Sequence, residues 1–515
     1  MSTPDAGRAT PAYTHQQILR VIFGILLCIL LAALDQTVVI PAVPAIAADL
    51  GAFGHLSWIV TAYLLTATAF TPIYGKISDI VGRRACLLPA LAIFIVASIL
   101  CALSASLWQL IIFRALQGVG GAGLMSMAQA AIADVVSPRE RGRYQGYMAS
   151  MWGVASVGGP LVGGFVTDHL SWHYVFWINV PLGLWAMWLC NRALKMLPVR
   201  GGGGKIDYLG AVVLMSGVTM ILLVLSWGGS EYPWTSPVIL TMAVAALALF
   251  TILIWYERRT EDAILPPRLF AEAIFARGVC LAFISAVGLL GTTFLMPLFF
   301  QLVRGADASE SGLLVMPYMI SNVIGAYLGG QIMRRVGRTR MIIIAGLGAS
   351  VLGFLGLATI GPHTPGVVLL LAMMVVGCGI GVCMPTVLVT VQNAAPRRDV
   401  GTATGALLFL RSMGGAFGTT LVGAVLALQF GARMQAAGIA GVDFGALRDG
   451  GALGALGPAA QAAGQAALAS GFRLAFAVLT VVYVGAVVIA FGLKDQPLRA
   501  TAASAAEEQP AALGH

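Results

Sequence analysis

The first residue that could do chemistry is Asp35, a carboxylic acid in the middle of the first long apolar run, which begins Ile18-Leu-Arg-Val-Ile-Phe and ends near Pro41. No other acid sits so deep in such a run. An Asp near the centre of a membrane-crossing helix costs roughly 2.5 to 3.5 kcal/mol. Burial in a low-dielectric setting disfavours the charged form. Such a group can load and release a proton, or couple to a cation. The alternative is a structural Asp, neutralised by an arginine or capping a helix break implied by Pro41 and Pro44.

Arg114 is the second candidate, within Arg114-x2-Gln117-Gly118-x-Gly120-Gly121. A buried guanidinium needs a carboxylate or carbonyls, and Asp35 is the one acid in the middle of such a run; backbone carbonyls of a kinked helix are the alternative. A third set is Ala155, Gly159 and Gly163, four residues apart, with Pro160 and Gly164 beside them. Small residues at this spacing let helices approach closely and Pro160 removes a backbone hydrogen bond, a seam suited either to conformational switching or to packing. Arg411, followed by Gly414, Gly415 and Gly418, gives a similar pattern with no evident partner. Asp168, His169 and His173 lie together near one loop, where solvation is a simpler reading than metal binding.

The elements that must hold these residues are membrane helices. The chain has 515 residues, 59% apolar and 10% charged, with a mean hydropathy of +0.90, against about 25% charge in soluble domains. Fourteen apolar runs can be counted, near 20–41, 56–75, 85–105, 107–130, 145–168, 174–194, 207–227, 237–256, 275–301, 310–333, 340–360, 366–390, 403–428 and 471–493. The first is too long for a signal peptide and carries Asp35. The net charge of +9 would suggest nucleic acid in a soluble protein, but twenty-four of the thirty Lys and Arg fall in the termini and alternate loops. That placement puts both termini in the cytoplasm. The seven cysteines are scattered and imply neither a disulfide framework nor a metal site. Gly-x-Gly strings lie inside apolar runs, and no Walker lysine or catalytic triad is present, which argues against nucleotide-driven pumping and enzymatic activity.

A loop signature repeats. Gly75-x3-Asp79-x2-Gly82-Arg83, followed by Arg84, returns as Gly330-x3-Arg334-x2-Gly337-Arg338. Asp79 can hold a helix end in one state and release it in another, and Asp134 is placed to partner the basic residues. The repeat suggests duplicated six-helix units, with two helices to spare. The expected domains are a first bundle (1–199), a linker with two extra helices (200–272), a second bundle (273–499) including an extracytoplasmic Ala/Gly-rich loop (429–470), and a disordered tail (500–515). Trp172, Tyr174, Phe176 and Trp177 suit an interfacial aromatic belt.

Together, Leu34-Asp35-Gln-Thr37-Val-Val, the Gly75 to Arg84 loop, Arg114-x2-Gln117-Gly118, Gly159-Pro160-x2-Gly163-Gly164 and Trp172-x3-Phe176-x-Ile178-Asn179-x-Pro181 resemble the major facilitator superfamily, and its fourteen-span drug:proton antiporter branch in particular. The resemblance implies an all-α membrane protein with two six-helix bundles rocking about a central cavity. It implies export driven by a proton gradient with no bound cofactor, proton binding by Asp35 tuned by Arg114, and switching through Asp79 and the glycines of the fifth run. Ala155 departs from the family's usual glycine. Arg334 stands where the first half has Asp79, so the latch is expected on one side; Gly330, Gly337, Arg338 and Arg411 are the second-half gating candidates. Further acids within the second-half spans, which relatives that export dications carry, are missing, which favours neutral or singly charged amphiphiles over dications. The expected partners are such solutes, protons, the lipid bilayer and, in a two-membrane envelope, a periplasmic adaptor. Export of an endogenous lipid, siderophore or metabolite is the alternative, and a non-transporting scaffold or sensor a further one.

Overall fold

A computed structural model describes residues 15–50, 57–196, 206–229, 231–362, 364–437, 439, 458–495 and 497–498. The linker 200–205, residues 438 and 440–457 of loop 429–470, and the tail 500–515 lie outside the described residues. The named elements are helical, in the order α1 (His15–Leu50), α2 (Ser57–Val81), α3 (Arg83–Ala102), α4 (Leu107–Val135), α5 (Pro138–His169), α6 (Tyr174–Trp177), α7 (Asn179–Ala193), α8 (Tyr208–Trp227), α9 (Pro237–Glu257), α10 (Pro267–Ala271), α11 (Ala273–Leu302), α12 (Ala308–Val336), α13 (Arg340–Leu357), α14 (Gly366–Ala394), α15 (Val400–Ala436) and α16 (Pro458–Phe491). The end of the bundle that carries the α2–α3, α4–α5 and α12–α13 junctions is called here the basic end.

Among the described residues, 12 helices are long and apolar enough to cross a membrane, so the fourteen expected crossings are not all matched. The expected run at 56–75 is α2, 25 residues long but diluted by Ser, Thr and Tyr and ending in Lys76 and Asp79. The run at 174–194 is divided into α6 of 4 residues and α7 of 15. Fifteen helical residues span only about 22 Å, short of an apolar core of about 30 Å.

The outer surface is inverted relative to a soluble protein. Leu247 is 70% exposed, Leu352 68% and Val481 72%, whereas Asp35 and Gln117 are fully buried. Helices that satisfy their own backbone can show such faces to hydrocarbon. α1 continues unbroken through Pro41 and Pro44, so Asp35 caps no helix break. Trp172 and Phe176 are core residues rather than belt residues, and the Trp172 indole donates to Asp49 at 2.9 Å. Residues 429–436 and 458–470, expected as loop, extend α15 and α16; their alanine content favours helix.

Two apolar cores knit α1 to α7, and a third knits α11 to α16. A further cluster joins Ala69 and Ile73 of α2, Ala211, Leu214 and Val218 of α8, Leu253 of α9, and Phe409 and Met413 of α15. The α8–α9 pair therefore lies along the line where α2 of the first half meets α15 of the second. At its far end Trp227 packs edge-on to Trp58 of α2, and Thr420 of α15 donates to the Leu225 carbonyl at 3.0 Å.

Candidate functional site

α1 presents Asp35 to the inside of the first half, where α4, α7 and α3 close round it. Arg114 Nη1 donates to Asp35 Oδ2 at 2.7 Å. Gln117, one turn further along α4, donates through Nε2 to Oδ1 at 2.8 Å, and Asn179 at the start of α7 donates to the same oxygen at 2.7 Å. Asp35 is 0% and Arg114 1% exposed. A carboxylate receiving three donors, one of them charged, is well matched as an anion in a dry setting.

The guanidinium is held independently of the acid. Arg114 Nε donates to the Ile59 carbonyl at 3.1 Å and Nη1 to Gln117 Oε1 at 2.7 Å. Its Cζ lies 4.5 Å from the Tyr63 ring centroid and 5.8 Å from that of Phe176. Loss of the Asp35 charge would leave Arg114 a carbonyl, an amide oxygen and two π faces. Gln117 Nε2 also donates to Ser98 Oγ at 2.6 Å, and that hydroxyl donates to Phe94 O at 2.8 Å. The two sequence candidates thus meet, and the backbone-carbonyl alternative for Arg114 holds alongside the ion pair. Sequence reasoning placed Gln117 and Asn179 in the motifs without assigning them contacts; polar amides inside apolar runs were the available signal.

The second cluster lies at the basic end. Asp79, on the last turn of α2, reaches across to the other half and accepts from Gly401 N at 2.9 Å, Thr402 N at 2.7 Å and Thr402 Oγ1 at 2.8 Å. These are first-turn groups of α15, where unpaired N–H groups and the helix dipole favour an anion. Arg83 pairs with Asp79 at 2.8 Å and with Asp134 at 2.8 Å, tying the loop to α4. Arg84 donates to Asn191 Oδ1 at 2.6 Å. Gly82 has φ 93° and its counterpart Gly337 φ 70°, backbone conformations that L side chains rarely adopt.

Gly75 packs on α15: a Cβ there would lie 2.5 Å from Gly401 O. Its repeat partner Gly330 packs on α5, where a Cβ would lie 2.0 Å from Gly142 O. Arg334 is no counterpart of Asp79. Its carbonyl accepts from Arg139 Nε at 2.8 Å, its guanidinium stands 3.9 Å from Glu140 in an exposed pair, and Arg338 stands 3.7 Å from Asp495. A carboxylate thus clasps a helix N-terminus on one side, and a guanidinium clasps a helix C-terminus on the other. Sequence reasoning missed Arg139, Gly142, Gly146, Gly401 and Gly405; the four-residue glycine spacing of the last two pairs was the signal.

The α5 seam is internal to the first half. A Cβ on Gly159 would lie 2.0 Å from Thr37 Oγ1, and one on Gly163 2.2 Å from Val38 O, both on α1. Thr37 donates to the Ala155 carbonyl at 2.8 Å. Pro160 is exposed, and nothing lies within 4 Å of a Cβ on Gly164. The face of α5 that meets the other half is a different one, Gly142, Gly146 and Gly153 against Gly330, Tyr327 and Val323. Arg411 is half-buried and joins neither cluster. His173 pairs with Ser171 at 2.7 Å, and among the described residues no three His, Cys, Asp or Glu side chains are grouped to hold a metal.

The sequence profile of the Major Facilitator Superfamily matches residues 25–206 and 203–419. An uncharacterized MFS-type transporter of Mycobacterium tuberculosis is 39% identical over 404 residues, covering 78% of this chain and 58% of the relative, so the chain spans less than two thirds of that protein. The multidrug transporter protein MdtP of Bacillus subtilis is 37% identical over 410 residues, covering 79% of this chain and 74% of the relative. Among solved structures, the proton:xylose symporter XylE superposes with a TM-score of 0.63 at 16% identity over 94% of this chain and 98% of that one. The human organic anion transporter MFSD10 gives 0.61 at 16% identity over 92% and 99%. These two likenesses speak to fold.

Proposed function

Because the chain belongs to the major facilitator superfamily, a family of multi-pass membrane transporters rather than enzymes, we propose that it is a proton-coupled antiporter. In this reading it exports hydrophobic or amphiphilic compounds, neutral or monocationic, across the cytoplasmic membrane by alternating access. The observation that carries the proposal is the dry ion pair of Asp35 and Arg114, closed in by Gln117 and Asn179. An acid kept there at a cost of kilocalories is accounted for by a proton that binds and leaves. The names of relatives such as the Bacillus subtilis multidrug transporter point to drugs as the cargo.

The crossing number belongs to the same reading. α2 and the α6–α7 pair pack in the first bundle with the longer helices, and counting both as crossings gives fourteen with the termini on one side. With the basic end in the cytoplasm, the contacts of Asp79, Gly75 and Gly330 shut the cytoplasmic entrance, the arrangement in which cargo leaves and a proton arrives. Protonation of Asp35 would remove the charge that Arg114 faces, while Ile59, Gln117 and Tyr63 keep the guanidinium from being stranded. Charge accounting favours the cargo class: moving one net positive charge outward against the potential costs about 2.3 kcal/mol per 100 mV. A dication exchanged for one proton meets that cost; a neutral solute gains about as much.

The test is Asp35→Asn in proteoliposomes with an imposed acid gradient and a fluorescent monocationic dye. Gradient-driven uptake should fall to the protein-free rate with protein incorporation unchanged. Full-rate uphill transport by the variant would end the proposal.

A further inference from the structure

Asp35 Oδ1 receives two amide donors, from Gln117 and Asn179. The carboxamide of Asn179 is fully buried, and its own oxygen, Oδ1, has no hydrogen-bond partner. An orphaned buried carbonyl oxygen costs about 1–3 kcal/mol, so its position beside an acid that gains and loses a proton calls for an explanation. A protonated Asp35 needs an acceptor for its new O–H. Gln117 Oε1 already accepts from Arg114, and Ser98 Oγ accepts from Gln117 while its own proton goes to Phe94 O. The oxygen that this cluster leaves unused is that of Asn179. A half-turn about the Cβ–Cγ bond exchanges Nδ2 and Oδ1, bringing the oxygen to the place now 2.7 Å from Asp35 Oδ1, hydrogen-bond distance for O–H···O. Arg114 on Oδ2 and Gln117 on Oδ1 need not move. One polar atom of Asn179 is unpaired before the turn and one after it, so the turn itself is nearly balanced.

We propose that Asn179 serves Asp35 in both protonation states, donating to the carboxylate and, after a half-turn, accepting from the carboxylic acid. It is a positioning residue that sets the pH at which the acid takes its proton, and it rests on the proton-coupling reading above. The titratable groups facing Asp35 are Arg114 on α4, Tyr63 on α2 and Cys101 on α3. Phe176 on α6 is uncharged, as are Ala155 and Gly159 where α5 meets α1.

The experiment is an infrared titration of the purified full chain in lipid, which needs no knowledge of the cargo. The carbonyl band of protonated Asp35 is identified as the one missing in Asp35→Asn. In Asn179→Leu, of similar volume and without polar atoms, that band should rise in frequency because its O–H has lost its acceptor. Its midpoint should move up by about one pH unit, because the carboxylate loses a charge-assisted donor and the acid only a neutral partner. Asn179→Ala carries the same test should the Leu variant not accumulate. A shift in only one of the two readouts, or in neither, overturns the proposal. Absence of any Asp35 band in the parent at every pH overturns the coupling reading, and this proposal with it.

Discussion

Replacing Asp79 by Asn tests whether the basic end is held shut by electrostatics. The carboxylate accepts three bonds from the first turn of α15, at 2.7 to 2.9 Å, and pairs with Arg83 at 2.8 Å. A carboxamide keeps one acceptor oxygen, turns an N–H₂ toward existing donors and removes the charge. Charge-assisted bonds contribute about 1.5–3 kcal/mol each and an anion at a helix N-terminus up to about 2; these overlap, so a combined loss of about 2–4 kcal/mol is reasonable. At about 1.4 kcal/mol per decade that is roughly a 30- to 700-fold change. An equilibrium resting at about 99:1 in favour of closure would move to about 4:1 or as far as about 1:7. Spin labels at Lys195 and Met341, exposed basic-end positions on opposite halves, would report this as a new, longer distance population. Thr402→Val, which removes one of the three contacts, should give a smaller shift. An unchanged distance distribution in Asp79→Asn would refute the reasoning, because the latch would then be held by packing alone.

Arg114→Lys should abolish gradient-driven transport and lower the melting temperature in detergent, because an ammonium cannot reach both the Ile59 carbonyl and Asp35 from one planar fork; retention of either property would count against the ion pair's role. Gly159→Ala should destabilise by about 1–3 kcal/mol, since its Cβ would meet Thr37. Gly164→Ala, with open space around it, should be neutral or gain up to about 1 kcal/mol of helix propensity, and both are read as shifts of thermal midpoint. Gly330→Ala places a methyl on the Gly142 carbonyl and should favour an open basic end in the spin-label assay, without lowering the yield of folded protein.

Asp35 and Arg114 were legible because an ion in oil is conspicuous, and their pairing followed from the shortage of partners. The Asp79 loop was legible from its repeat, but its partner was not: two of its three bonds come from the Gly401 and Thr402 backbone N–H groups, which every helix start possesses. Arg139 was lost for a similar reason, since it acts on carbonyls and reads in the sequence as a topology charge. The glycines of α5 were legible as a small-residue seam, but not by face. Both faces carry small residues, and periodicity cannot say which of them meets α1 and which meets α12. The crossing count strained at α2, where Thr, Ser and Tyr dilute the apolar signal, and at Ile178, where the helix is interrupted between α6 and α7.

The pair α8–α9 makes the two flanks of the bundle unequal. By lying along the α2–α15 junction, it screens that flank from the surrounding acyl chains from end to end. Among the described residues the α5–α12 flank carries no such cover, so the two seams between the halves present unequal faces to hydrocarbon.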